Sequence, residues 1–247
     1  SYDELVRVVT NDPERVRSRF NACYATIITL YQQFGEDLYD IYPLSFHYFQ
    51  EKKKKRDRAV QYMRSKVDLL KHMGYISESG ITPKGDFASK IYGYELPLSE
   101  LYEQGSLEHL SETELGMLCV ALVYEPRKGA RMPKISKSAR KLRNMTDEVL
   151  QRINAAEKRF GIRTPSKDYK YHLSPCVEMW MNGETFEKTL SYSNADEGEL
   201  IRYFRMGVQI LREILDTHTS PVFKDRIRRT MDRINRDMID AENQLRA

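Results

Sequence analysis

Residues 74–91, GYISESGITPKGDFASKI, decide the fold. Tyr75-Ile76 and Ile81 flank the turn-rich stretch Ser77–Gly80, the pattern of a short β-hairpin. Thr82-Pro83-Lys84-Gly85 then reads as a turn into another helix. Just upstream, Val60, Met63, Val67 and Leu70 step three and four apart and define a helix stopped by Gly74. Helix, hairpin and new helix is the order of a winged helix and its wing. It is the one convincing non-helical signal in the chain.

Outward from this stretch the reading is helical. Toward the N-terminus, Asp12-Pro13 reads as an N-cap followed by proline at the first helical position. Val16, Phe20, Cys23, Tyr24, Ile27, Tyr31 and Phe34 then predict a core-facing helix ended by Gly35. PLSFHYFQ (43–50) reads as a short aromatic helix or turn, and the basic run 51–56 as a solvated helix end or linker.

Toward the C-terminus, Ser111–Glu114 is a capping box opening a helix through Tyr124. A loop containing Pro126, Gly129 and Pro133 leads to a long charged helix over 137–160, closed by Gly161. Helices over 172–181 and 184–190 follow. Asn194 is the expected cap of the next, whose apolar stripe is Leu200, Ile201, Phe204, Val208, Leu211 and Leu215. Ser220-Pro221 starts the last, with Ile227, Met231, Ile234, Met238, Ala241 and Leu245 facing inward. The expected fold is mainly α: a winged helix with a small β-hairpin wing (1–93), then an antiparallel helical bundle (94–247).

Composition agrees. Of 247 residues, 40% are hydrophobic and 31% charged, enough for a sizeable core under a charged surface. The 12 glycines and 9 prolines are too few for a turn-rich all-β chain. No apolar run approaches the length of a membrane span, and the first residues lack the pattern of a signal peptide. Cys23, Cys119 and Cys176 stand far apart, which fits a reducing compartment, cytoplasmic or, in a eukaryote, nuclear.

The net charge of +4 hides segregation. Residues 95–114 carry six glutamates and no Lys or Arg, whereas 127–143 carry eight basic residues and no acid. The last helix holds Lys224, Arg226, Arg228, Arg229, Arg233 and Arg236. Basic stretches with interleaved aromatics are a footprint of phosphate-backbone binding, and equally the wet face of an amphipathic helix. A more specific pattern is Arg202, Arg205, Gln209, Arg212 and Asp216, which share one polar face opposite the apolar stripe. Planar guanidinium and amide groups in a row suit contact with a single strand. Arg202, Arg205, Gln209 and Arg212 are the candidate nucleic-acid-binding residues.

Catalytic patterns are missing. Gly183–Thr189 resembles a phosphate-binding loop at both ends but lacks the glycine before Lys188. The five histidines are scattered, with no pair at metal-ligand spacing, and no GxSxG occurs. No catalytic residue, cofactor or metal is therefore assigned to these residues. Trp180 is expected to anchor the core.

From about residue 57 to the end the chain resembles the DSHCT domain, which closes DExH-box RNA helicases of the Dob/Ski/HelY type. The stretches that carry the resemblance are LLKHMGYISESGITPKGDFASKI (69–91), ELPLSELYEQGSLEHLSETELGMLCVALVYEP (95–126), Met132-Pro133-Lys134, Trp180–Gly183 with Phe186, EGELIRYFR (197–205) and IRRTMDRINRDMIDA (227–241). Residues 12–50 are similar to the part of the winged helix that precedes it. Members that assist the exosome carry a long arch where Gln50–Leu69 is only a basic linker and one helix, so the likeness is to arch-less members.

The resemblance implies a winged helix and bundle packed on two RecA-like motor lobes, which would bind ATP and Mg, with EGELIR opening a ratchet helix that lines a channel for single-stranded RNA. Arg202 and Arg205 fall on basic positions of that helix; Met206 stands where arginine is common. The implied partners are single-stranded RNA and the motor domains of the same chain. The rival reading is an independent winged-helix DNA-binding protein or adaptor, which would read duplex through its recognition helix.

Overall fold

The computed structural model describes residues 22–45 and 53–240. The Asp12-Pro13 helix start, residues 46–50 of the aromatic stretch, the side chains of the 51–56 run, Ala241 and Leu245 lie outside the described residues.

The expected architecture is present: a mainly helical chain with one small antiparallel hairpin, followed by a bundle of longer helices. Helix α1 (Tyr24–Phe34) is followed by the short α2 (Leu38–Ile41) and by α3 (Lys53–His72). Strands β1 (Ile76–Ser77) and β2 (Gly80–Ile81) pair in the register Ile76 to Ile81 and Ser77 to Gly80. Helix α4 (Pro83–Ser89) opens as the sequence demands, with Thr82 Oγ1 accepting the Gly85 N–H and Pro83 at the first turn. Gly85 is required there, because a Cβ would lie 2.2 Å from the Tyr75 carbonyl oxygen.

The bundle comprises α5 (Glu95–Glu103), α6 (Glu112–Val123), α7 (Lys137–Arg159), α8 (Ser174–Met181), α9 (Phe186–Leu190), α10 (Glu197–Leu215) and α11 (Pro221–Ile234). Helix α6 is its axis. Every residue from Leu115 to Val123 is buried, because α8, α10 and α11 surround it; a helix apolar on all sides has to sit inside. Its capping box forms as predicted.

Buried polar groups join the N-terminal helices to the bundle. Glu157, 1% exposed, accepts from the Tyr24 hydroxyl at 2.9 Å and from the Ser166 N–H at 2.9 Å. Glu95 accepts the Ala25 N–H at 3.2 Å, and among the N-terminal helices themselves Lys66 donates to the Ala22 carbonyl at 2.6 Å.

Two helix ends differ from the sequence expectation. Asp196 rather than Asn194 caps α10, its Oδ1 accepting the Glu199 N–H at 2.8 Å. The last helix ends at Ile234 instead of continuing through Met238. The indole Nε1 of Trp180 takes the Ile234 carbonyl at 2.8 Å, and Asp237 turns the backbone at φ 49°. Ile239 is thereby buried and Met238, expected inside, is exposed.

Candidate nucleic-acid interface

Helix α10 is amphipathic in the sense its spacing predicts. Leu200, Tyr203, Phe204, Val208, Leu211 and Ile214 are buried. Gly207 permits the close approach to α6, since a Cβ there would lie 2.9 Å from Val120 Cγ2. On the opposite side Arg202, Met206, Gln209, Arg212 and Asp216 are exposed.

The candidate residues have different local roles. The Arg202 guanidinium lies 4.6 Å from the Tyr203 ring centre and donates to the Tyr203 hydroxyl at 2.9 Å. That hydroxyl is fixed in turn on the Glu125 backbone, donating to its carbonyl at 3.2 Å. Arg202 is thus pre-oriented while remaining exposed. Arg205 is half-buried; its Nε donates to the Ile239 carbonyl at 2.8 Å and its Nη2 to the Met238 carbonyl at 3.0 Å. It fastens the chain after α11. Gln209 bonds the Glu213 carboxylate, which also accepts the Tyr92 N–H at 3.1 Å. Burial holds the Glu213 carboxyl above the usual range. Arg212 is exposed and makes no ion pair among the described residues.

Sequence spacing alone did not mark the 59%-exposed Tyr92, which the Glu213 bond places beside this face. Its partner is more than a hundred residues away in the chain, so no local pattern points to it.

Arg226, Arg229 and Arg233 of α11, and Arg236 just beyond it, serve packing. Arg226 caps the Glu108 carbonyl and, at 3.0 Å, the Leu110 carbonyl. Arg229 and Arg233 grip Glu112 at 2.6 and 2.8 Å, and hold its carboxyl below the usual range. Arg233 also reaches the Met181 carbonyl. Arg236 donates to the carbonyls of Trp180 and Glu184 at 2.9 and 2.7 Å and stacks 3.5 Å above the Trp180 ring. The guanidinium groups of Arg226, Arg233 and Arg236 thus close the carbonyl ends of neighbouring helices or turns.

Burial raises the thiols of Cys119 and Cys176, the latter to about 11, as befits core cysteines. Among the described residues no group of three or more His, Cys, Asp or Glu is arranged to hold a metal.

The model of the DSHCT (NUC185) domain family matches residues 78–241. The chain belongs to the DSHCT family. The match begins inside the hairpin and takes in all of α10. The DSHCT chain is 29% identical over 170 residues to the human Exosome RNA helicase MTR4, covering 65% of this chain and 16% of that protein. It is 25% identical over 175 residues to the ATP-dependent RNA helicase mtr4 of Schizosaccharomyces pombe, covering 66% and 16%. An uncharacterized helicase of the same yeast is 26% identical over 152 residues, covering 59% and 15%. This DSHCT chain therefore spans about one sixth of the length of the curated relatives it matches.

Proposed function

We propose that this chain is the C-terminal accessory module of an ATP-dependent superfamily 2 RNA helicase of DExH-box type. In this reading α10 guides single-stranded RNA, and the winged helix and bundle brace the RecA-like motor lobes, which hold ATP and Mg. The observation that carries it is the exposed face of α10: Arg202, Met206, Gln209 and Arg212 lie in a row opposite the buried Leu200, Phe204, Val208 and Leu211. Homology to Mtr4-type helicases supports it. Catalysis belongs to the motor; this module supplies grip. Guanidinium groups neutralise phosphates, and the amide of Gln209 and the thioether of Met206 offer sequence-tolerant contact to the strand.

The test is RNA affinity against salt in the full-length protein. Arg202→Ala with Arg212→Ala, which spares the structural Arg205, should lower the slope of log K against log salt by about 1.4, at about 0.7 per phosphate contact on a single strand. Unwinding should fall more than basal ATP hydrolysis. An unchanged slope sinks the reading.

A further inference from the structure

Beyond the first turn of α10, the loop joining α6 to α7 and residues 191–195 enclose a cleft of about 370 Å³, within the range of small-ligand sites. Tyr124 and His172 line it together with Lys128, Arg131 and Tyr192. Two properties of this lining point to one kind of occupant.

The first is charge. Arg127 is neutralised by Asp196 and Glu199 at 2.5 and 3.0 Å. Lys128 and Arg131 are exposed and make no ion pair among the described residues, so the uncompensated charge of the cleft is positive. The second is the aromatic Tyr192, 45% exposed, a flat surface on which a base can stack.

The cleft is also continuous with the α10 face. Arg127 and Glu199 wall it and are shared with the next depression, which reaches Arg202. Gly198 and Arg202 then lead to a third, which runs along α10 to Gln209.

We infer that this cleft receives a nucleotide of the single strand that α10 guides, its base stacked on Tyr192 and its phosphate on Lys128 and Arg131. The inference rests on the reading of α10 given above. An acidic peptide would use the same two cations but would have no call on the ring of Tyr192, so the aromatic side chain discriminates.

The experiment measures binding of a fluorescein-labelled single-stranded 20-mer RNA to the full-length protein, with melting temperature as the folding control. Both sets of substitutions are at exposed positions. Tyr192→Ala should weaken binding roughly 5- to 150-fold with the salt slope unchanged, the loss of one stacked base, and Tyr192→Phe should bind like the parent. Lys128→Ala with Arg131→Ala should lower the slope by about 1.4. If these variants bind like the parent while Arg202→Ala with Arg212→Ala is weakened, the cleft lies off the strand's path and the inference is overturned with the α10 reading intact. Weakening by the cation pair but not by Tyr192→Ala also overturns it, in favour of a simple anionic occupant. If the α10 variant binds like the parent, that reading fails and the inference with it.

Discussion

Trp180→Ala should destabilise the protein by about 3–5 kcal/mol, near the upper end of what one core substitution does. Trp180 is 1% exposed, meets Phe186 edge-on at 6.0 Å and packs against Phe204. Removing it opens a cavity where α8, α10 and α11 converge. It also leaves the Ile234 carbonyl with only the Arg236 N–H at 3.0 Å, and the Arg236 guanidinium without the ring it covers. For a chain of this size the loss corresponds to a fall in Tm of about 6–20 °C. Thermal unfolding followed by circular dichroism checks it. A mutant that melts with the parent yet binds RNA less well would make Trp180 a contact residue instead of an anchor.

Glu100→Ala should be comparably damaging, for an electrostatic reason. Lys84 is 7% exposed, pairs with Glu100 Oε1 and donates to the Met73 carbonyl at 2.8 Å. Tyr75, fully buried, donates its hydroxyl to the same Glu100 oxygen at 2.8 Å. This group locks the hairpin and α4 onto α5. Deleting the carboxylate leaves a buried ammonium without its counter-charge, while the Tyr75 hydroxyl keeps Ser99 Oγ at 2.8 Å; breaking such a pair typically costs about 3–5 kcal/mol. Replacing both partners, Lys84→Met with Glu100→Leu, should recover most of the loss, because no uncompensated charge remains. Chemical denaturation of the three proteins distinguishes the cases; a Glu100→Ala protein within about 1 kcal/mol of the parent would show that solvent reaches the pair.

Both sites illustrate what the sequence makes legible. Helix starts are local: Ser111 with Glu114, Thr82 with Pro83, and Ser220 with Pro221 each bond within three residues, so their spacing announces them. The hairpin was legible for the same reason, with its pairing spanning only Ile76 to Ile81. The apolar stripe of α10 followed from period alone. Long-range use of charge was hidden. The arginines of α11 and Arg236 read as a basic surface, yet their targets lie at Glu108, Glu112, Met181 and Glu184, elements that only folding brings near. Arg205 was one of a row of exposed-looking cations until the chain after α11 folded back beneath it. The end of α11 leaves no mark in the local sequence, because its stop is made by Trp180, 54 residues upstream. The α10 face itself was visible; the cleft beside it was not, because Lys128, His172 and Tyr192 come from separate segments.

The central claim is that the exposed face of α10 touches single-stranded RNA. Photo-crosslinking tests it most directly: the full-length protein is bound to a single-stranded RNA carrying one 4-thiouridine, irradiated, digested, and the crosslinked peptides sequenced. The account predicts crosslinks within residues 198–212, on or beside Arg202, Met206 and Gln209. Crosslinks confined to the hairpin region 74–91 or to α11, with none on α10, would contradict it.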